Sequence, residues 1–506
     1  MTMSKILHMR GLLTSCPGVS PLTTCSIGVA FAAVVALAAA PPASAGPGRA
    51  GRAATAGSPA GPAVPGSTRS LPLAPLPRER VAGAAPEQGL HRTGLARFAL
   101  VGVVWDDPDT ELHGRAQVRT RSAATGEWSG WQDLETHHTD DGADPGAAER
   151  SSGRVRGATA PLWVGASDGV DVRVRAEGAA GAAGVPGRRA AGLRAVLPSG
   201  LRLELVDPGE GVGETGAQDA GEAAKAGGAG AVGEPGETGA AGEALPGNLP
   251  ADDPPRTALD TEAALAASGA NADITDFGSF AVPELDRQAT ETELTRLQGP
   301  SRTKPYIGPR PRIVTRRGWG ADESLRERGF VYTKKIKAAF VHHTATGNTY
   351  TCAQAPSVIR SIYRYHVKSM GWRDIGYNFL VDKCGTLYEG RAGGVAKAVL
   401  GAHTLGFNTD SMGVAVIGTY GTSKPPGGAV TAVARLTAWK LGLYGVDPRA
   451  KTYLTSGGGN LYPKGKNVRL NVISGHRDGF ATECPGKLLY AKLGTARSSA
   501  AKYQGR

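Results

Sequence analysis

The stretch from residue 207 to about 299 has almost no pattern of large apolar side chains, and this constrains the fold more than any other feature. It is rich in Gly, Ala, Glu and Pro, and 207–300 carries 18 acidic against 4 basic residues. Such a composition buries too little apolar surface to offset the loss of chain entropy on folding. We therefore predict a long disordered acidic linker over 207–304, with a short helix in "ATETELTRLQG" near its end.

The rest of the chain is also too rich in Gly and Pro for one large core. Gly accounts for 73 and Pro for 34 of the 506 residues, and only 6% are aromatic. Two folded domains separated by unstructured chain fit this composition better than a single compact domain. Residues 46–92 are rich in Ala, Gly, Pro and Arg, and we predict that they are disordered.

The N-terminus has the pattern of an export signal. Basic residues precede an apolar run over 26–40, and small residues follow it at Ala43 and Ala45. This order is typical of a secretory signal peptide, and the apolar run is short for a membrane span. We predict a signal peptide over 1–45 and a secreted, cell-wall-associated protein with no stable membrane anchor after cleavage. An uncleaved anchor is the alternative.

Five stretches between 93 and 206 have the composition of β-strands and are separated by Gly, Asp and Pro. They are "ARFALVGVVW", "RAQVRTRS", "EWSGWQDLE", "PLWVGASDGVDVRVRA" and "GLRLELVD". Alternation between apolar and polar residues, bounded by turn residues, predicts a small all-β module. Trp105, Trp128 and Trp131 in this module either stack on sugars or pack as core and turn residues.

The remainder, 305–506, alternates patterns typical of strands and helices. "AAFVHH", "MGVAVIG" and "RLNVISG" are apolar runs of strand length. "APSVIRSIYRYHVKSM" and "VTAVARLTAWKLGLYG" have helical spacing of their apolar residues. This order predicts an α/β fold in which helices flank a mixed central β-sheet.

The C-terminal part is strongly basic, with 32 Lys and Arg against 10 Asp and Glu over 301–506. Such an excess favours a polyanionic partner. For an exported protein we expect that partner to be an anionic cell-wall polymer and not nucleic acid. A solubilising surface without a specific partner is the alternative.

Cysteine usage indicates one disulfide and one separate thiol. Cys16 and Cys25 leave with the predicted signal peptide, so three cysteines remain outside the cell. An odd number leaves one thiol for another role. We pair Cys352 with Cys384, as expected in an oxidising compartment, which frees Cys484 for metal binding. The alternative is that Cys352 and Cys384 are themselves metal ligands.

Two histidine pairs occur in different surroundings. His342 follows the apolar run "AAFV", so a rigid strand can aim its side chain. The pair in "LETHHTDDG" lies in a polar, turn-prone stretch, where we expect no specific role. His476 and Cys484 share a glycine-containing loop. Together with His342 they offer the imidazole and thiolate donors that zinc prefers, and catalytic zinc sites keep one position open for water.

The segment from about 313 to 486 resembles the family of peptidoglycan recognition proteins and zinc N-acetylmuramoyl-L-alanine amidases, which includes T7 lysozyme-type enzymes. The matching pieces, in family order, are "IVTRRGWGA", "VHHTAT", "SIYRYHVKSMGWRDIGYNFLVDKCGTLYEGR", "GAHTLGFNTDSMGVAVIGTYG" and "ISGHRDGFATECPG". The resemblance implies Zn²⁺ bound by His342, His476 and Cys484. It also implies catalytic roles for Tyr377 and Thr482.

The same resemblance implies hydrolysis of the lactyl amide between N-acetylmuramic acid and L-alanine in peptidoglycan. We expect a monomer that binds the glycan strand and the stem peptide. Candidates for the substrate groove are His403, Asn408, Arg391 and His366, with packing as the alternative for the two histidines. Family members that lack the cysteine bind peptidoglycan without cleaving it, so Cys484 favours an enzyme. A non-catalytic peptidoglycan-binding protein is the alternative.

Overall fold

The computed structural model describes residues 65–76, 86–136, 141–177, 196–210, 261–300 and 302–506. The predicted signal peptide and most of the predicted acidic linker lie outside these ranges. The histidine pair His137–His138 also lies outside them. No helix within the described ranges is long and apolar enough to cross a membrane.

The N-terminal module is all-β, as predicted. Its strands in the described residues are β1 (Ser67–Pro72), β2 (Ala74–Pro75), β3 (Glu87–Arg92), β4 (Phe98–Trp105), β5 (Gly114–Ser122), β6 (Gln132–Leu134), β7 (Gly157–Ala158), β8 (Leu162–Ala176) and β9 (Arg202–Asp207). They pair antiparallel in the order β1-β9-β4-β8-β3-β2, with β5 joining β8 to β6 and β7 on β4. The 15-residue β8 serves both halves of the sheet, because its first half pairs with β4 and its second half with β3 and β5.

The N-terminal boundary of this module differs from the predicted one. β1 and β3 lie inside 46–92, which the composition predicts to be disordered, yet they pair with β9 and β8. In β1 every side chain is exposed or half-buried. A strand at the edge of a sheet can be held by its backbone ladder alone, so it need not show the apolar alternation on which the prediction depends.

The C-terminal part is α/β with a mixed central sheet, as predicted. Its strands are β10 (Ala281–Val282), β11 (Ile313–Val314), β12 (Ala338–His343), β13 (Phe379–Val381), β14 (Leu387–Glu389), β15 (Ser411–Val416), β16 (Lys451–Thr455), β17 (Asn467–Asn471) and β18 (Ile473–Gly475). Its helices are α1 (Glu262–Gly269), α2 (Arg287–Gln298), α3 (Ala355–Arg364), α4 (Gly427–Gly442), α5 (Lys487–Tyr490) and α6 (Leu493–Gln504). The central order is β10-β11-β14-β13-β15-β12-β18, and β16 pairs with β17 separately.

Alternating residues of the central strands serve two different cores. Val414 and Val416 of β15 belong to the core that contains the apolar residues of α4 and α6. Ala415 lies between them in sequence and belongs to the core that contains α3. This period of two is what a strand buried on both faces requires, and it explains why β15 reads as a continuous apolar run.

The part of the predicted linker closest to the α/β domain is folded. The predicted short helix is present as α2, and α1 and β10 add two elements that the sequence did not predict. β10 pairs antiparallel with β11, so this segment extends the central sheet. The buried residues of α1 are Ala264 and Ala267. Because these side chains are small, the helix buries a face without producing a pattern of large apolar residues.

The β module and the α/β domain share one apolar core. Leu100, Val104 and Trp163 of the module pack in the same cluster as apolar residues of α3. Tyr365, directly after α3, is fully buried, and its hydroxyl donates to the Thr159 carbonyl at 3.0 Å. A Cβ atom at Gly102 would lie 2.3–2.6 Å from the Tyr365 ring, so glycine permits this close approach. The two parts that the sequence predicts as separate domains are therefore also joined by direct packing.

The Tyr365 hydroxyl provides a test of this interface. Tyr365→Phe removes the donor to a buried carbonyl, and we expect the free energy of unfolding to fall by about 1–2 kcal/mol. Urea unfolding measures the change. Tyr453→Phe is the matched control, because the Tyr453 side chain is exposed on β16. Loss of its hydroxyl should leave the unfolding midpoint unchanged. Equal stabilities for the Tyr365 and Tyr453 variants would contradict this role.

A buried carboxylate lies where α1 meets the central sheet. Asn271 Nδ2 donates to the Glu389 carboxylate at 2.9 and 3.1 Å, and the Arg316 amide donates to it at 3.3 Å. Burial raises the pKa of Glu389 to about 7, although the Arg316 charge opposes this shift. Between the ordinary pKa of 4.5 and about 7, the folded protein therefore holds a proton that the unfolded chain has released.

This proton gives a pH prediction with a defined sign. Glu389 contributes stability fully below its unfolded pKa, and the contribution is lost as pH rises through about 7. The unfolding free energy of wild type should therefore fall relative to that of Glu389→Gln as the pH rises from 4.5 to about 7. Urea unfolding at several pH values measures it. A pH-independent difference would contradict the shifted pKa.

Candidate metal centre

Parallel strand pairing brings two distant histidines together. β12 and β18 are parallel neighbours, with Val341 opposite Gly475. His342 follows Val341 in β12, and His476 follows Gly475 at the start of a short 3-10 turn. Because parallel strands end at the same edge of a sheet, both imidazoles reach the same point, with their ring centroids 4.5 Å apart. Both side chains are fully buried.

The loop after His476 returns Cys484 to the two histidines. The Arg477 amide donates to the Cys484 carbonyl at 3.1 Å, which closes the loop. The Cys484 sulfur lies 3.7 Å from His342 Nδ1. One ligand-type atom from each of His342, His476 and Cys484 lies within 4.8 Å of the others, and all three residues are buried. The three residues proposed from the sequence as metal ligands therefore meet at one place.

The chemistry of these donors fits Zn²⁺. Two imidazole nitrogens and a thiolate sulfur are among the ligands that Zn²⁺ prefers, and the cluster is shielded from solvent. Cys352 and Cys384 form the predicted disulfide. Among the described residues Cys484 is thus the cysteine left with a thiol. The three side chains form a His-His-Cys donor set of the kind that binds zinc.

Tyr377 lies beside this centre and is held by His366. The Tyr377 ring centroid is 5.4 Å from that of His342 and 5.7 Å from that of His366. His366 is buried, accepts a hydrogen bond from the Gly376 amide on Nδ1 at 3.1 Å, and packs on Trp372 at 4.5 Å. His366 therefore occupies a packing position behind Tyr377, which matches the alternative role that the sequence left open.

The second nitrogen of His342 has its own partner. Thr404 Oγ1 lies 3.3 Å from His342 Nε2 and 3.0 Å from His403 Nδ1. His403 is fully buried, and burial together with the nearby His342 holds its pKa well below the usual range. A neutral His403 beneath the centre supports the orientation of His342 through Thr404. Because it is fully buried, His403 does not line an open groove.

Asn408 and Arg391 contact the β module in this structure. Asn408 accepts the His403 amide at 2.7 Å and donates to the Gly142 carbonyl at 2.8 Å. Arg391 makes a bidentate ion pair with Glu149, with both distances 2.9 Å. The two predicted groove residues are therefore satisfied by residues 141–149 of the same chain.

Thr482 lies on the loop between His476 and Cys484. Its hydroxyl accepts a hydrogen bond from the Cys484 amide at 3.1 Å. This contact shapes the loop that carries the thiol. The catalytic role of Thr482 stays a prediction.

Asp141 is the site residue that the sequence analysis missed. Its Oδ1 lies 3.4 Å from His342 Nδ1 and 3.4 Å from His476 Nδ1, and Tyr377 donates to its Oδ2 at 2.8 Å. The Asp141 side chain is 3% exposed. It comes from the polar stretch "HHTDDG", in which no local pattern distinguishes this aspartate from a solvated turn residue.

Comparison with known proteins assigns the α/β domain to a family. A family model described as N-acetylmuramoyl-L-alanine amidase matches residues 332–487. Peptidoglycan-recognition protein SC2 of Drosophila simulans is 30% identical over 183 residues, which cover 36% of this chain and 85% of that protein. The chain belongs to the peptidoglycan-recognition protein family.

Other relatives match a similar share of this chain. The N-acetylmuramoyl-L-alanine amidase of Homo sapiens is 33% identical over 199 residues, which cover 38% of this chain and 29% of the human protein. The solved structure of Drosophila PGRP-LB matches 36% of this chain and 92% of its own at 26% identity, with a TM-score of 0.29. The sequence matches support an amidase or a recognition function directed at peptidoglycan.

The N-terminal module has its own match. A family model described as Rv3811 N-terminal galactose-binding domain-like covers residues 54–192. This range begins before β1, which agrees with the position of β1 and β3 in the sheet. Trp105 is buried in the core of the module, which fits the packing alternative for this residue.

A glycine beneath the centre tests the support of His342. A Cβ atom at Gly413 would lie 2.4–2.7 Å from atoms of His403. Gly413→Ala should therefore displace His403 and lower the free energy of unfolding by about 1–3 kcal/mol. Gly494→Ala in α6 is the control of opposite sign, because nothing lies within 4 Å of its added methyl group. We expect a gain of roughly 0.5–1 kcal/mol there. Thermal unfolding distinguishes the two, and an unchanged Gly413→Ala protein would refute the close packing.

Proposed function

We propose that this protein is a secreted, zinc-dependent N-acetylmuramoyl-L-alanine amidase. Its substrate would be the amide between the lactyl group of N-acetylmuramic acid and L-alanine in peptidoglycan. The observation that carries the proposal is the convergence of His342, His476 and Cys484 within 4.8 Å at one edge of the sheet. The amidase family match over 332–487 supports the reaction type.

The three proposed ligands define what a metal would do here. Zn²⁺ held by these side chains would act as a Lewis acid and make a water-derived nucleophile available near neutral pH. The protein would keep the imidazoles in place through the Thr404 contact to His342 and through the backbone pairing of β12 with β18. Burial of the cluster excludes bulk solvent and strengthens every electrostatic interaction in it.

Tyr377 is the proposed donor to the oxygen that gains charge during amide cleavage. Its hydroxyl donates at 2.8 Å to a carboxylate oxygen of Asp141 beside the two histidines. The same hydroxyl can therefore stabilise negative charge on a substrate oxygen placed at that position. Its packing against His366 and His342 fixes the ring, so little reorganisation is needed.

Arg391 and Asn408 are the proposed contacts to the stem peptide. They line a cavity of about 380 Å³, and residues 143–149 of the β module form another part of its lining. A guanidinium suits a carboxylate, and a primary amide suits a peptide backbone. Anionic wall polymers are the proposed partners of the basic C-terminal part, which carries 32 Lys and Arg against 10 Asp and Glu over 301–506.

Digestion of purified cell-wall sacculi tests the amidase proposal. We expect new L-alanine amino termini, loss of the reaction on chelation, and recovery on adding Zn²⁺. Tyr377→Phe should slow the reaction by about 10²–10³ without changing the zinc content, because it removes one donor to the developing charge. Cys484→Ser should lower both zinc content and rate. Tyr453→Phe, on the exposed surface, is the control for loss of a phenol.

The same experiment distinguishes the alternative. A non-catalytic peptidoglycan-binding protein would bind the sacculi, release no amino termini, and be indifferent to chelation. A Cys484→Ser protein with wild-type zinc content and rate would contradict the ligand assignment.

A further inference from the structure

The β module extends one segment into the metal centre. We call residues 141–149 the plug. It follows β6 and precedes a short 3-10 turn at Arg150–Ser152. Asp141, Gly142 and Ala143 at its start are buried. Three of its side chains are carboxylates, and each carboxylate meets a different part of the proposed catalytic cleft.

Asp141 occupies the position between the two histidines. Its Oδ1 is equally distant, at 3.4 Å, from Nδ1 of His342 and Nδ1 of His476. Its Oδ2 accepts the Tyr377 hydroxyl at 2.8 Å. The carboxylate thus touches both proposed histidine ligands and the proposed catalytic tyrosine at once. With the side chain only 3% exposed, no substrate oxygen can enter between these groups while Asp141 stays there.

Asp144 and Glu149 fix the rest of the plug in the cleft. Asp144 Oδ1 accepts the Gly406 amide at 2.8 Å and Asn408 Nδ2 at 2.7 Å. Glu149 makes the bidentate ion pair with Arg391 and accepts the Arg373 amide at 3.1 Å. The plug therefore satisfies the groups that the proposed function assigns to the stem peptide.

Backbone contacts of residues that follow the plug in the chain hold the module in this position. The Arg156 amide donates to the Met370 carbonyl at 3.0 Å, and the Trp163 amide donates to the Thr346 carbonyl at 3.0 Å. The buried Tyr365 contact to Thr159 lies in the same region. Because the shared apolar core fixes the module, the entry of Asp141 is a property of the fold and not of a loose surface loop.

We propose that Asp141 is a fourth protein ligand of the metal centre and that the plug keeps the amidase latent; this rests on the proposed function. Carboxylate oxygen is an accepted zinc donor, and a centre with four protein ligands lacks the open position that catalysis requires. A thiolate and a carboxylate together match the charge of Zn²⁺. Activity then requires a state in which the plug leaves the cleft.

Zinc binding tests the ligand role without relying on turnover. We expect Asp141→Ala and the isosteric Asp141→Asn to weaken Zn²⁺ binding by about tenfold or more, measured by competition with a chromophoric chelator. In the Co²⁺-substituted full-length protein, azide should alter the visible absorption spectrum of both variants and leave the wild-type spectrum unchanged. Glu127→Gln, an exposed carboxylate of the same module, is the control and should match wild type.

Sacculus digestion by the same full-length proteins tests latency. If the open state is populated at 0.1–10%, the Asp141 variants should cleave about 10- to 1000-fold faster than wild type. A double variant, Asp144→Ala with Glu149→Ala, keeps the proposed ligand and loosens the plug, and it should also be faster than wild type. This variant keeps the latency test independent of Asp141 itself.

The outcomes separate the two proposals. Slower cleavage by the Asp141 variants would overturn latency and make Asp141 part of the catalytic machinery. Azide access and zinc affinity equal to wild type would overturn the ligand assignment. Weaker zinc binding and new azide access with no cleavage by any variant would support Asp141 as a ligand and refute the amidase proposal.

Discussion

The parallel pairing of β12 with β18 is the constraint on which the candidate site depends. Register places Val341 opposite Gly475, so the next residue along each chain segment lies at the same edge of the sheet. His342 and His476 are thereby brought together, although they lie 134 residues apart in the sequence. Cys484 follows because its loop is closed back on the 3-10 turn by a backbone hydrogen bond from Arg477. A shift of register by one residue would turn the strand side chains to the opposite face and separate the three donors.

The same face of the sheet that carries the site also receives the β module. Ala415 and Ile417 pack in one cluster with α3 and with Leu100 and Trp163 of the module. Apolar packing and polar contacts therefore act together to hold the module close to the centre. This arrangement lets the plug reach the two histidines with little freedom. In a protein joined only by a flexible linker, the same aspartate would remain mostly in solvent.

Supporting residues beneath the centre divide into two groups with different chemistry. Thr404 and His403 contact His342 through polar atoms, and burial keeps His403 neutral. His366 and Trp372 hold the Tyr377 region mainly by ring packing. The first group orients the imidazole of His342, and the second fixes the hydroxyl of Tyr377. Both groups are buried, although His403, Thr404 and Trp372 lie in segments between the strands and helices.

Sequence alone determined the α/β class, most strands of the β module, the disulfide and the three donor residues, because these leave periodic or chemically specific patterns in the chain. It missed β1, β3 and α1, whose stability comes from pairing and small-residue packing that leave no such pattern. Only the tertiary structure decided the place of Asp141. Its partner Tyr377 is 236 residues away, and a short polar turn carries no information about which distant surface it will meet. The shared apolar core determined this contact, because it packs the turn of the β module that carries Asp141 against the edge of the α/β sheet that carries the proposed metal ligands.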